Sequence, residues 1–163
     1  MATVYVGIGS NVDPLKYIRA GMAALRARYT EVWTSSVYET KAIGFEGRNF
    51  YNLVVGFETD EDVFSVDKAL TEIERDNGRT KIEKHFGDRT LDLDLLLYDD
   101  LCSTKCGLKL PRKDIVEYAY TLLPLAEIAP SGVHPVLGQR YDKMWESFED
   151  KAAQPLTKLD IQV

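Results

Sequence analysis

Two aspartates spaced two residues apart, Asp92 and Asp94, are the side chains of this 163-residue sequence best placed to do chemistry. They lie in Gly-Asp-Arg-Thr-Leu-Asp-Leu-Asp-Leu-Leu-Leu-Tyr, residues 87–98. Side chains on a strand alternate between faces. Leu91, Leu93, Leu95 and Leu97 then share one face, and Asp92 and Asp94 share the other, with Leu96 and Tyr98 beyond them. The leucines can anchor the strand in a core. The two carboxylates sit about 7 Å apart at Cα, two steps of strand rise. At that spacing they can converge on one Mg²⁺ or bridge a pair of ions. Arg89 stands three residues before Asp92. Paired carboxylates, hard cations and a guanidinium suit phosphate chemistry. On spacing alone, a solvated edge strand would read the same way.

The segment upstream adds to the first reading. Residues 78–90 hold Arg79, Lys81, Lys84 and Arg89 against Glu83 and Asp88, a local charge of +2 on a chain whose net charge is −6. Gly78 and Gly87 bracket the segment, which favours a loop over a helix. A basic, glycine-bounded loop running into a carboxylate strand can clamp phosphate. A solvated charged loop has the same composition. There is no Walker-type GxxxxGK[ST] motif.

The bulk numbers narrow the class. Residues 1–163 fit one domain. No stretch approaches the roughly 18 apolar residues of a membrane span. The N-terminus, Met-Ala-Thr-Val-Tyr-Val-Gly-Ile-Gly-Ser, lacks a charged leader and reads as a strand, so a cytoplasmic protein is expected. A net charge of −6 argues against general nucleic-acid affinity. Cys102 and Cys106 match no zinc spacing and read as reduced thiols on a surface hairpin. His85 sits in the basic loop, whereas His134, before Pro135, reads as a structural turn residue.

The elements that must position these groups can be read in order. Residues 2–9 alternate, with Val4, Val6 and Ile8 on one face and Tyr5, Gly7 and Gly9 on the other. The glycine side lets something approach the backbone closely. Asp13-Pro14 reads as an N-cap followed by Pro at the first helical position, and Leu15, Ile18, Met22, Leu25 and Tyr29 continue at helical spacing. Residues 31–38 read as a strand and 40–49 as a long loop. Residues 50–58 form a third strand with Tyr51, Leu53, Val55 and Phe57 inward, and Phe50, Asn52, Val54 and Gly56 on the opposite face. An exposed aromatic beside a carboxamide can hold a flat heterocycle, by stacking on Phe50 and paired hydrogen bonds to Asn52. Equally, Phe50 can cover a loop and Asn52 cap a turn. Asp60 to Asp62 start a second helix striped by Val63, Val66, Leu70 and Ile73, with Glu74 near its end. After the Asp92–Asp94 strand, residues 101–110 read as a hairpin, 113–128 as a helix broken at Pro124, and 139–150 as a last helix. Strand, helix, strand, strand, helix, strand is the α+β, ferredoxin-like split βαβ sandwich. It has a mainly antiparallel sheet with helices on one face, here with C-terminal helical additions. Phe50, Asn52, Asp92 and Asp94 are expected on or near the face left for ligands.

With those residues in place, the chain resembles the 6-hydroxymethyl-7,8-dihydropterin pyrophosphokinases of folate biosynthesis over about residues 3–130. The resemblance is carried by Gly-Ile-Gly-Ser-Asn at 7–11, Ser-Ser-Val-Tyr-Glu-Thr at 35–40 and Phe-Tyr-Asn at 50–52. It continues through Ile-Glu at 73–74, Gly-Arg at 78–79, Gly-Asp-Arg-Thr-Leu-Asp-Leu-Asp at 87–94 and Leu-Pro-Leu-Ala-Glu-Ile-Ala-Pro at 123–130. It implies transfer of diphosphate from ATP to the pterin hydroxymethyl group, leaving AMP. It implies two Mg²⁺ ions held by Asp92 and Asp94. The pterin is expected between Phe50 and Tyr120, hydrogen-bonded to Asn52 and to the backbone from Thr40 to Ile43. ATP is expected on Glu74, Arg79, Lys81, Phe86, Arg89, Leu95 and Arg112, with Arg79, Lys81, Arg89, Asp92 and Asp94 as the catalytic set. The partners are these small molecules, with no nucleic acid and no membrane.

Two departures fall in the expected nucleotide pocket. Arg112 stands where the family usually has His after Pro, and Tyr118 where it usually has Arg. Arg112 can supply the cation that Tyr118 does not. Alternatively, the chain is a pterin-binding relative with altered or lost nucleotide use. An RNA-binding sheet is a third reading, but it lacks the Lys/Arg-Gly-Phe/Tyr motif and carries two carboxylates on the binding face. The loops 40–49 and 78–90 are expected to close over the substrates.

Overall fold

The computed structural model describes residues 1–42, 47–78 and 88–163. Its elements run β1 (Ala2–Ser10), α1 (Pro14–Arg28), β2 (Val32–Thr34), β3 (Val37–Thr40), β4 (Phe50–Thr59), α2 (Val63–Asp76) and β5 (Asp92–Tyr98). Then follow α3 (Asp114–Glu117), α4 (Ala119–Ile128), α5 (Tyr141–Glu146) and β6 (Thr157–Leu159). The sheet order is β5-β1-β4-β3-β6, with β2 also on β4, and every pairing is antiparallel. Taking β2 and β3 as one interrupted strand, this is the expected ferredoxin-like arrangement.

Alternation builds the first face. Val4, Val6 and Ile8 of β1, Leu53, Val55 and Phe57 of β4, and Leu93 and Leu95 of β5 are buried together. They meet Ile18, Met22 and Leu25 of α1 and Val66, Leu70 and Ile73 of α2. Both helix starts were legible, but they are made differently. Asp62 caps α2, its carboxylate accepting from Ser65 N–H at 2.8 Å. Pro14 does open α1, but Asp13 is left-handed (φ 43°) and its side chain makes no cap. A side chain caps from the extended region, and the tight exit from β1 denies Asp13 that conformation.

Among the described residues, helices cover one end of the second face. Val54, Leu96, Ile115, Leu122, Leu125 and Met144 form a second core beneath α3–α5. Leu97 belongs to it too, and not to the first face as alternation alone suggests. The β1–β5 register shifts between Tyr5 and Val6, whose partners are Leu97 and Leu95. The extra residue, Leu96, reverses the facing of the residues beyond it on β5.

The 113–128 stretch breaks at Tyr118, which is extended (φ −122°, ψ 127°), while Pro124 lies inside α4. Pro124 has no N–H for the Tyr120 carbonyl and its ring crowds that carbonyl, yet α4 runs on through it. The last helix is shorter than its pattern, and β6, unanticipated from sequence, adds a sixth strand beside β3. Residues 101–110 do fold back, through a Ser103–Leu110 bridge, with Cys102 and Cys106 exposed and free. His134 is the turn residue expected, its Nδ1 accepting from Val136 and Leu137 N–H at 3.2 and 3.1 Å. Among the described residues, no helix is long and apolar enough to cross a membrane.

Candidate active site

Register places the expected side chains. Gly9 pairs with Asn52 on one side and Asp92 on the other, and Gly7 pairs with Val54 and Asp94. Residues in register share a face, so Asn52, Asp92 and Asp94 look the same way across two residues that have no side chain. Two interstrand spacings separate Asn52 from Asp92, about 10 Å. The glycines thus leave a trough between the carboxamide and the carboxylates. A Cβ on Gly9 would lie 3.1 Å from Asn52 Oδ1, so a larger residue there would crowd the carboxamide.

At the trough's first end, Thr40 pairs with Phe50. Buried Asn52 donates its amide N–H to Thr40 Oγ1 at 3.0 Å. This fixes the Asn52 carboxamide plane. Tyr120, on the carboxylate side, stacks on Tyr118, ring centroids 5.0 Å apart and planes 16° from parallel. Burial raises the Tyr120 phenol's pKa, and Asp114, Tyr118, Asp94 and Asp92 push it further up, so it stays a neutral ring.

At the other end, Asp94 keeps 27% of its side-chain surface exposed. Burial pushes its pKa well above the usual carboxylate range, reinforced by Asp92, Asp114 and Glu74 and opposed by Arg112. Arg112 Nη2 lies 3.5 Å from Asp94 Oδ1, and its Nε lies 3.3 Å from Asp114 Oδ2. The Nε contact is an ion pair whose angles are too poor for a hydrogen bond. Glu74 reaches the same strand from α2, its Oε2 accepting from Leu93 N–H at 2.8 Å, between the two aspartates.

Three connections escaped the sequence reading. Asn11, 1% exposed, is a knot. Its Oδ1 accepts from Arg89 N–H at 2.6 Å, and its Nδ2 donates to Asp88 Oδ1 at 3.1 Å and the Arg48 carbonyl at 3.4 Å. One side chain therefore ties Arg48 to Asp88 and Arg89. Asp114 holds Arg112. Glu127 of α4 accepts from Ser36 N–H, Ser36 Oγ and Tyr38 O–H at 2.7, 2.9 and 2.6 Å, tying α4 to the β2–β3 interruption. Asn11 and Glu127 both stand in motifs that carry the resemblance, but nothing in their spacing names partners tens of residues away.

The structure therefore brings together Thr40, Phe50, Asn52, Asp92, Asp94 and Arg112 on or beside one face, with Glu74 at its edge. Arg89 is 6% exposed, its main chain fastened to Asn11. Leu95 turns its side chain into the first core. Ile43, Arg79, Lys81 and Phe86 lie outside the described residues. Among the described residues, no three His, Cys, Asp or Glu side chains form a set that could hold a metal ion by themselves.

Residues 5–130 match the model of the 7,8-dihydro-6-hydroxymethylpterin-pyrophosphokinase family. The chain is 37% identical over 139 residues to the 2-amino-4-hydroxy-6-hydroxymethyldihydropteridine pyrophosphokinase of Aquifex aeolicus, covering 83% of this chain and 86% of that one. It is 36% identical over 128 residues to the protein of the same name from Bacillus subtilis, covering 76% of each. The crystal structure of wild-type HPPK-DHPS from Plasmodium falciparum superposes with a TM-score of 0.72 at 14% identity. This chain contributes 92% of its length to that match and spans 42% of the longer structure, so the likeness concerns the fold.

Proposed function

The chain belongs to the 7,8-dihydro-6-hydroxymethylpterin-pyrophosphokinase family, and we propose how its residues perform that family's reaction. The reaction is transfer of diphosphate from ATP to 6-hydroxymethyl-7,8-dihydropterin, giving the pterin diphosphate and AMP in folate biosynthesis. The hydroxymethyl oxygen bonds to the β-phosphorus of ATP and its proton passes to solvent water. The bond from that phosphorus to the oxygen bridging it to the α-phosphorus breaks, and AMP leaves with that oxygen.

The observation that carries the assignment is Asn52 facing Asp92 and Asp94 across side-chain-free Gly7 and Gly9. Asn52 and Thr40 read the heterocycle's edge while Phe50 and Tyr120 flank its plane, with Ile43 contributing its backbone. The hydroxymethyl group then points along the trough toward the carboxylates. Asp92 and Asp94 fit Mg²⁺: they are hard oxygen donors that share one face. Two ions are expected, with phosphate oxygens and water completing their shells. When bound, they neutralise the phosphates and align them for in-line transfer. Glu74 holds β5 in register at its outer edge. Leu95, two residues on from Leu93, serves ATP through its main chain. Arg79, Lys81, Arg89 and Arg112 supply cations to the triphosphate and Phe86 packs on the nucleotide. Such a reaction needs alignment and charge neutralisation more than a covalent nucleophile.

We take residues 1–163 as one domain, because β6 pairs with β3 and the Val163 carbonyl accepts from Arg26 at 2.9 Å. We place its activity in the cytoplasm, where ATP is abundant. The test is AMP formation from ATP and Mg²⁺ with and without the pterin. Pterin-dependent AMP supports the assignment, whereas pterin binding without AMP would reassign the nucleotide pocket.

A further inference from the structure

We infer that Arg112 is a tethered cation that competes with the divalent metal for Asp94 and yields that carboxylate when nucleotide phosphates arrive. The inference rests on the reading of Asp92 and Asp94 as metal ligands. Its basis is the bridge that Arg112 makes, 3.5 Å from Nη2 to Asp94 and 3.3 Å from Nε to Asp114.

The bridge is anchored at its base and loose at its head. Arg112 N–H donates to the Leu96 carbonyl at 3.0 Å, and the Arg112 carbonyl accepts from Ile115 N–H at 3.2 Å. Leu96 lies two residues beyond Asp94 on the same strand, so the root of the side chain is fixed within reach of the carboxylate. At the head, Nε is shut from solvent without a hydrogen bond. The contact with Asp94 is longer than the roughly 2.7–2.9 Å of a charge-assisted bond. The side chain keeps 28% of its surface exposed, which leaves it room to turn. A guanidinium held this way is under-used. Its planar fork suits the paired oxygens of a phosphate better than the edge of one aspartate.

The local charge gives the bridge its purpose. Asp94 faces Asp92, Asp114 and Glu74, and Arg112 offsets that repulsion. A divalent ion at Asp94 takes over the same task and repels the guanidinium. Arg112 then needs a new anion, and the triphosphate offers one. Charge at the carboxylates is thereby exchanged rather than added. Metal binds weakly alone and well together with nucleotide.

The test uses Mn²⁺ as probe, with free ion followed by electron paramagnetic resonance in nucleotide-free protein. Wild type should bind Mn²⁺ in a manner that Asp94→Asn abolishes. Arg112→Gln should bind about tenfold more tightly, a modest part of what one unit charge at this range can do. Arg112→Lys, which keeps the charge, should stay near wild type. In unmutated protein, Arg112 Nε–H, shut from solvent at rest, should exchange faster with solvent when Mg²⁺ is added, which a guanidinium that stays in place would not show. If Asp94→Asn binds Mn²⁺ as wild type does, the metal reading falls and this inference with it. If binding depends on Asp94 but Arg112→Gln changes it less than twofold, or the Nε–H exchange rate is unchanged, the inference alone is overturned.

Discussion

On its first face the sheet meets α1 and α2 with apolar side chains from Val4 to Phe57. On its second face Val54 and Leu96 are sealed beneath α3–α5, while Asn52 and Asp94, two residues back along the same strands, and Asp92, four back, face the glycine trough. The same strands serve both purposes because alternation lets a residue contribute to one face without constraining the other. The difference lies in what holds each face. Burial suffices for the first. The other end of the second depends on single polar side chains: Asn11, Glu74 and Glu127, which each secure a long-range contact, and Asp114, which holds nearby Arg112.

That contrast can be broken most severely from the first face. Phe57 is fully buried and stacks on Tyr29 at 3.9 Å. Phe57→Ala should cost about 3–5 kcal/mol and lower the thermal midpoint by about 10 °C, while molecules still folded keep their pterin affinity. Loss of affinity in folded protein would mean the faces are not independent.

The next effect is smaller and falls on the other side. Asn11→Ala strands the Arg89 N–H and should cost about 1–3 kcal/mol in urea unfolding. Unlike Phe57→Ala, it should also weaken binding of both substrates, because the Asn11 side chain ties together Arg48, Asp88 and Arg89. Substrate affinities equal to wild type would remove Asn11 from the account.

Glu127 sharpens the comparison further. Burial raises its pKa, but hydrogen bonds from Tyr38 and Ser36 outweigh that and leave it lowered. The stability it gives is therefore full above its ordinary value and lost as pH falls through its folded value. Glu127 is exposed on one side, so solvent screens it and Glu127→Gln should cost under about 1 kcal/mol at pH 7. A larger loss in urea unfolding would show that the clamp on α4 is tighter than its exposure implies.

The smallest expected effect lies outside both faces. Burial lowers the His134 pKa from its ordinary 6.5, and its Nδ1 accepts two N–H groups. The unfolded chain takes up the proton first. Stability is therefore full above 6.5 and declines as pH falls from there toward the folded value. The urea midpoint should drop between pH 7.5 and 5.5 in wild type and less so in His134→Asn, which keeps an acceptor. Equal slopes would contradict the assignment.

The first face and the carboxylate pair were readable from sequence because both are local patterns, alternation in 2–9 and 50–58 and spacing at 92–94. The cap at Asp62 was readable for the same reason. The bulge at Leu96 was not, since it depends on the register of two strands ninety residues apart. Nor was the break at Tyr118, where extended backbone between α3 and α4 overrides the proline signal at 124. The short β6 carries too few residues to show a period. The knot at Asn11 and the bridge of Arg112 to Asp94 are contacts between elements, and no window of sequence contains both partners.

The most direct measurement is Asp94→Asn assayed for both pterin binding and AMP formation. The account expects a folded protein that binds pterin within a few-fold of wild type, with turnover reduced at least about 10²–10³-fold, as when a stabiliser of developing charge is removed. Turnover equal to wild type would contradict the claim that the carboxylates at the trough's far end carry the chemistry.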